Sequence, residues 1–85
     1  MLTAVFITGK LGKVEDNYRY VYVEKVPEPE YDGSSPEFDK FKVKMWSNLP
    51  GILHKMKSGA IVTIKGRLEE QNGETFVIAE LIRGV

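Results

Sequence analysis

Apolar and polar positions alternate along most of this chain, and the alternation predicts strands. Residues 2–8 are apolar and β-branched and predict the first. Residues 18–26, Tyr-Arg-Tyr-Val-Tyr-Val-Glu-Lys-Val, are rich in strand formers and predict the second. A strand sends successive side chains to opposite faces, so Tyr18, Tyr20 and Tyr22 share one face and Val21 and Val23 the other. The third strand spans about residues 38–46. Within it, Phe41, Val43 and Met45 form a core face, and Lys40, Lys42, Lys44 and Trp46 form the opposite one. Residues 60–69 predict a fourth strand, with Val62, Ile64 and Leu68 inward and Ile61, Thr63, Lys65 and Arg67 outward. Gly66 in its middle predicts a bulge or sharp bend. Asn72-Gly73 is the signal of a type I′ hairpin turn, and residues 75–82 return as the fifth strand.

The segments between the strands complete the order. Gly9 and Gly12 bracket a basic bend with Lys10 and Lys13, and Glu15-Asp16-Asn17 is turn chemistry. Residues 27–37 carry three prolines and little apolar content, which predicts a long mobile loop. Leu49, Ile52, Leu53 and Met56 fall at helical spacing. Ser47 or Asn48 caps this short helix, and Pro50 is tolerated in its first turn. Lys55 and Lys57 suit its negative end, and Gly59 its left-handed stop. The order β-β-β-α-β-β predicts an all-β fold, a five-stranded antiparallel OB-fold barrel with one short helix between strands three and four. Residues 1–85 form a single domain, with no repeat and no dividing linker.

Composition narrows the function classes. The absence of cysteine excludes disulfides and thiolate metal sites. No apolar run approaches the ~20 residues of a membrane span. The N-terminus has no basic region ahead of its apolar stretch, so no signal peptide is expected and a cytoplasmic protein is. Enzyme chemistry finds little support, and no cofactor or metal is expected. His54 is the single histidine, with no thiol to activate, and reads as a solvated helix residue. Gly9-Lys-Leu-Gly-Lys lacks the spacing of a phosphate-binding loop, and Asp32 and Asp39 lack a calcium-loop pattern.

Twelve basic and twelve acidic residues cancel, but they are not mixed evenly. Glu28, Glu30, Asp32, Glu37 and Asp39 crowd in and beside the loop, and no acid lies between Asp39 and Glu69. Local field governs binding more than the total does. Lys40, Lys42, Lys44 and Trp46 beside Tyr18, Tyr20 and Tyr22 combine ammonium groups with flat rings. Single-stranded nucleic acid is held by these two terms, phosphate neutralisation and base stacking. Lys10, Lys13, Lys65 and Arg67 extend the surface. The same residues have plainer readings. Lysines on a solvent face deter edge pairing, Trp46 at a strand end caps a core, and tyrosines point inward if the valines do not. The acidic loop is either a disordered connector or a segment that folds over the basic face, where Tyr31 and Phe38 stack or its carboxylates block it.

Three fragments carry a resemblance. Val5-Phe-Ile-Thr-Gly-Lys-Leu, Phe41-Lys-Val-Lys-Met-Trp-Ser-Asn-Leu and Leu53-His-Lys-Met-Lys-Ser-Gly-Ala-Ile-Val-Thr-Ile-Lys-Gly-Arg-Leu resemble, in order and spacing, the bacterial single-stranded DNA-binding protein family. The short form is also similar to primosomal replication protein B. The resemblance implies sequence-independent binding of single-stranded DNA in replication, recombination or mobile-element transfer. It also implies a homo-oligomer, a dimer or tetramer, and replication proteins as partners. Replicative members continue into an acidic recruiting tail, whereas this sequence ends at Arg83-Gly84-Val85. Where relatives place an aromatic in the middle of the third strand, this chain has Lys40. The alternative is an OB-fold protein-interaction module, a primosome or replisome accessory, favoured by the neutral net charge.

Overall fold

Alternate side chains from every strand meet in one interior. The computed structural model describes residues 3–25, 37–46 and 51–85. Its elements are β1 (Val5–Val14), β2 (Arg19–Glu24), β3 (Phe38–Met45), α1 (Gly51–Lys55), β4 (Ile61–Gln71) and β5 (Glu74–Gly84). They close into a barrel in the order β1-β2-β3-β5-β4, the OB-fold arrangement. Among the described residues β3 and β5 pair in parallel, while the other neighbours are antiparallel. The core is Ile7 and Leu11 of β1, Val21 of β2, Val43 of β3, Leu53 of α1, Val62 and Ile64 of β4, and Val77 and Ala79 of β5. Each large aliphatic side chain buried there contributes roughly 1.5–3 kcal/mol. Met45 and Met56 pack against this cluster. The predicted cap at Ser47 or Asn48, together with Leu49, Pro50 and residues 27–36 of the predicted 27–37 loop, lies outside the described residues.

Two residues predicted for the core are not in it. Phe41 is 37% exposed and Leu68 46%. Register places both on the inner side, opposite Val21 and Val77, but each has an open flank. β3 meets β5 only from Val43 onward, so no strand covers that flank of Phe41. β4 leaves β1 at Gly66, so Leu68 lies on a hairpin that runs beyond the closed barrel. The helix divides its predicted apolar positions in a similar way, with Leu53 buried and Ile52 exposed.

The glycines of the first strand also differ from expectation. β1 runs through Gly9 and Gly12 to Val14 instead of bending, with a register shift between Leu11 and Val14. Gly12 serves close approach, since a Cβ there would lie 2.2 Å from Cε2 of the Tyr22 ring. The predicted hairpin turn is present, with Asn72 and Gly73 both at positive φ, 53° and 81°.

Among the described residues, one charged side chain is buried in the interior. Arg19 is 1% exposed. Its Nε donates to the Gly12 carbonyl at 3.0 Å, Nη1 to the carbonyls of Leu53 (2.7 Å) and Met56, and Nη2 to Ser58 Oγ at 3.2 Å. Burial pulls its pKa below the ordinary arginine value, yet a guanidinium stays protonated at neutral pH. The last carbonyls of a helix lack partners within it, and a five-residue helix has little stability alone. Arg19 supplies those partners and ties α1 to β1 and β2.

Candidate nucleic-acid interface

Cross-strand partners share a face, so register decides what the outer surface holds. Tyr20 lies opposite Lys42 and Tyr22 opposite Lys40 on β2 and β3. Val21 and Val43 are fully buried, so these tyrosines and lysines point outward. The surface continues through β5 and β4, where Lys44 aligns with Ile78, Ile78 with Arg67, and Phe76 with Glu69.

On this face three rings have an ammonium group close by. Lys44 Nζ is 4.1 Å from the centroid of Phe76, Lys40 Nζ 4.5 Å from that of Tyr20, and Lys42 Nζ 5.4 Å from that of Tyr18, all within cation–π range. The rings also touch one another. Tyr18 meets Tyr20 edge-on at 5.5 Å and Phe76 at 5.8 Å. The Tyr18 pKa is raised from 10.0 to about 12, chiefly by its hydrogen bond to the Tyr20 hydroxyl and further by burial, Tyr20, Glu15 and Glu74. Tyr18 therefore stays a neutral phenol, the form without a charge to repel phosphate.

Three cations of the face have polar partners. Lys42 Nζ lies 3.1 Å from Glu74 Oε1, and Lys44 Nζ donates to Gln71 Oε1. Arg67 is 3.2 Å from Glu80 and 3.4 Å from Glu69. Four cations therefore sit among three carboxylates.

The ten predicted residues are placed as follows. Tyr18, Tyr20, Lys40, Lys42 and Lys44 form one cluster, and Arg67 stands at its β4 margin. Tyr22 lies over Gly12 on the same face, beside Lys10 of β1. Lys65 pairs with Phe6 and Leu81 on the β1–β4–β5 surface, away from the cluster. Trp46 stands 62% exposed at the end of β3, apart from the touching rings. Its backbone N–H donates to the Ala79 carbonyl at 3.2 Å.

Phe76 belongs to the cluster although alternation alone did not single it out. The signal for it is the unbroken apolar run Phe76-Val-Ile-Ala79, which lacks a solvent face and is buried throughout. His54, expected to be solvated, packs instead on the β1–β2 turn, its Nε2 3.1 Å from the Glu15 carbonyl. Among the described residues no group of three His, Cys, Asp or Glu side chains is arranged to hold a metal.

No family model matches the sequence, and no curated protein is significantly similar to it. Solved structures do match. The mitochondrial single-stranded DNA-binding protein Rim1 of S. cerevisiae superposes with a TM-score of 0.65 at 10% identity, covering all of this chain and 96% of that one. The N-terminal domain of PriB from Thermoanaerobacter tencongensis, a dimeric structure, gives 0.59 at 18% identity over 98% and 96%. The S. pombe Stn1-Ten1 complex gives 0.62 at 14% identity, covering 99% of this chain and 59% of that one. The likeness establishes the OB fold.

Proposed function

We propose that this OB-fold barrel binds single-stranded DNA without sequence preference on the outer face of β2, β3 and β5. The carrying observation is that the partly exposed Tyr18 and Tyr20 have lysine ammonium groups 5.4 and 4.5 Å from their ring centroids, packed beside the buried Phe76. Rings stack on bases of any identity, and ammonium groups meet phosphates. The names of two structural neighbours, Rim1 and PriB, support the reading, the first as a single-stranded DNA-binding protein and the second as a dimer. No helix among the described residues is long and apolar enough to cross a membrane. A cytoplasmic role in replication, recombination or mobile-element transfer completes the proposal.

Trp46 is the reporter. Oligo-dT added at low salt quenches its fluorescence as bases stack on the exposed indole. Trp46→Ala weakens binding by roughly 1–3 kcal/mol and leaves the circular dichroism spectrum unchanged, because the ring is outside the core. An absence of quenching together with an absence of binding at low salt ends this reading. It would favour a protein-interaction module, for which the three carboxylates on the face already speak.

The β1–β4–β5 surface is mixed, with Lys65 between Phe6 and Leu81 and the row Thr8, Thr63 and Arg83 between these and Ile61. Phe6, Ile61 and Leu81 are all exposed there, Phe6 to 73%. Exposed large apolar side chains of this kind suit an association surface, and we assign this one to a second copy of the chain. Light scattering is expected to give a mass above that of one 9.6 kDa chain. Phe6→Asp returns it to the single-chain value, whereas an unchanged mass removes the assignment.

A further inference from the structure

Lys42 and Lys44 are held by hydrogen-bonded anchors on the β4–β5 hairpin. Glu74 holds Lys42 at 3.1 Å. Gln71 accepts from Lys44, and its own Nε2 donates to Glu69 Oε1 at 3.0 Å. Glu69 and Glu80 both hold Arg67. All these anchors lie on the two strands that flank the Asn72-Gly73 turn. They keep Lys42 over Tyr18, a ring assigned to stacking, and Lys44 over the buried Phe76 beneath it.

We propose that Glu69, Glu74 and Glu80 are built-in competitors for the phosphate backbone, so that a strand binds by exchanging carboxylate for phosphate. Glu74 is the principal competitor, because it is the one carboxylate on Lys42 among the described residues. The inference rests on the reading of this face as the single-strand site. Exposed ion pairs in water are weak, so a phosphate whose neighbouring bases stack on the rings displaces them. The released carboxylate stays beside the strand as an uncompensated negative charge. Cations alone then hold a phosphate backbone poorly, and tight binding requires bases free to stack. The hairpin acids thereby select single strands over duplex, whose base faces are hidden in the helix.

The exchange also changes the salt dependence. Four cations neutralising four phosphates of a single strand give a slope near −3 for log K against log salt, from about −0.7 per phosphate. A carboxylate released on binding gathers counter-cations and offsets part of that release. The wild-type slope is therefore shallower, between about −1 and −2.

The experiment is an oligo-dT titration over a salt series with wild type, Glu74→Gln and Glu70→Gln. Glu70 lies on β4, the other strand of the same hairpin, on its opposite face and across from Thr75, so its substitution makes the same change in net charge away from the cluster. Glu74→Gln is expected to bind about five-fold tighter at low salt, with a slope steeper by about 0.7, and Glu70→Gln to match wild type. If Glu74→Gln matches wild type, or Glu70→Gln tightens binding equally, the competition is overturned while the single-strand reading stands. If none of the three proteins binds, both fall.

Discussion

Arg19→Met is expected to lower the unfolding free energy by roughly 2–5 kcal/mol, at about 1–3 kcal/mol for each buried acceptor left without a donor. Methionine fills much of the volume of the arginine stem but donates nothing. The Gly12 carbonyl keeps Ser58 Oγ as a donor at 3.1 Å, whereas the carbonyls of Leu53 and Met56 lose the one that Arg19 provides. Replacing a buried ion pair with apolar groups is often neutral, because both charges leave together. Here the acceptors are main-chain carbonyls and remain whatever replaces the arginine. A loss of this size is a large fraction of the ~5–15 kcal/mol that holds a domain folded. Urea denaturation measures it, and an unchanged midpoint would show that Arg19 is dispensable to the fold.

Gly66→Ala is expected to cost about 3 kcal/mol, the upper end of the usual range for overpacking, and to impair the outer face as well. A Cβ at Gly66 would stand 2.0 Å from the Ile78 carbonyl oxygen, 2.9 Å from its carbon and 3.2 Å from Ala79 Cα. All three contacts are backbone, so no side-chain rotation relieves them. The register between β4 and β5 slips at this point, where Lys65 faces Leu81 and Gly66 faces Ala79, leaving Glu80 unmatched on β5. Relief requires β4 and β5 to separate at the rows that place Arg67 beside Ile78 and Glu69 beside Phe76. The variant should therefore unfold at lower urea and bind oligo-dT more weakly than its folded fraction explains. Wild-type stability and affinity together would sink the prediction.

Gly66 also marks how much of the fold was legible. A glycine within an otherwise regular strand pattern pointed to a bulge, and the register shift lies there. The alternation of Tyr18, Tyr20 and Tyr22 with valines, and of Lys40, Lys42 and Lys44 with Val43, assigned inner and outer faces that the barrel keeps. Asn72-Gly73 located its turn because positive φ at two consecutive positions favours that pair. Arg19 was harder to read. The alternation did not single it out, and the carbonyls that accommodate it come from Gly12 and from a helix more than thirty residues downstream.

Chain order and side-chain parity are local properties, and the sequence by itself determined them here: five strands, one short helix, and a basic, aromatic outer side on the second and third strands. Pairing between distant strands is not local, and only the tertiary structure decided it. It seated Phe76 beneath Lys44 and left Phe41 and Leu68 with open flanks where neighbouring strands diverge. It also brought Glu69, Glu74 and Glu80 from the hairpin onto the cations. The lysines formed a charged stripe when read along one strand. Across the barrel they form a nearly balanced array, because a side chain's electrostatic partner is set by the strands packed beside it and not by its neighbours in the chain.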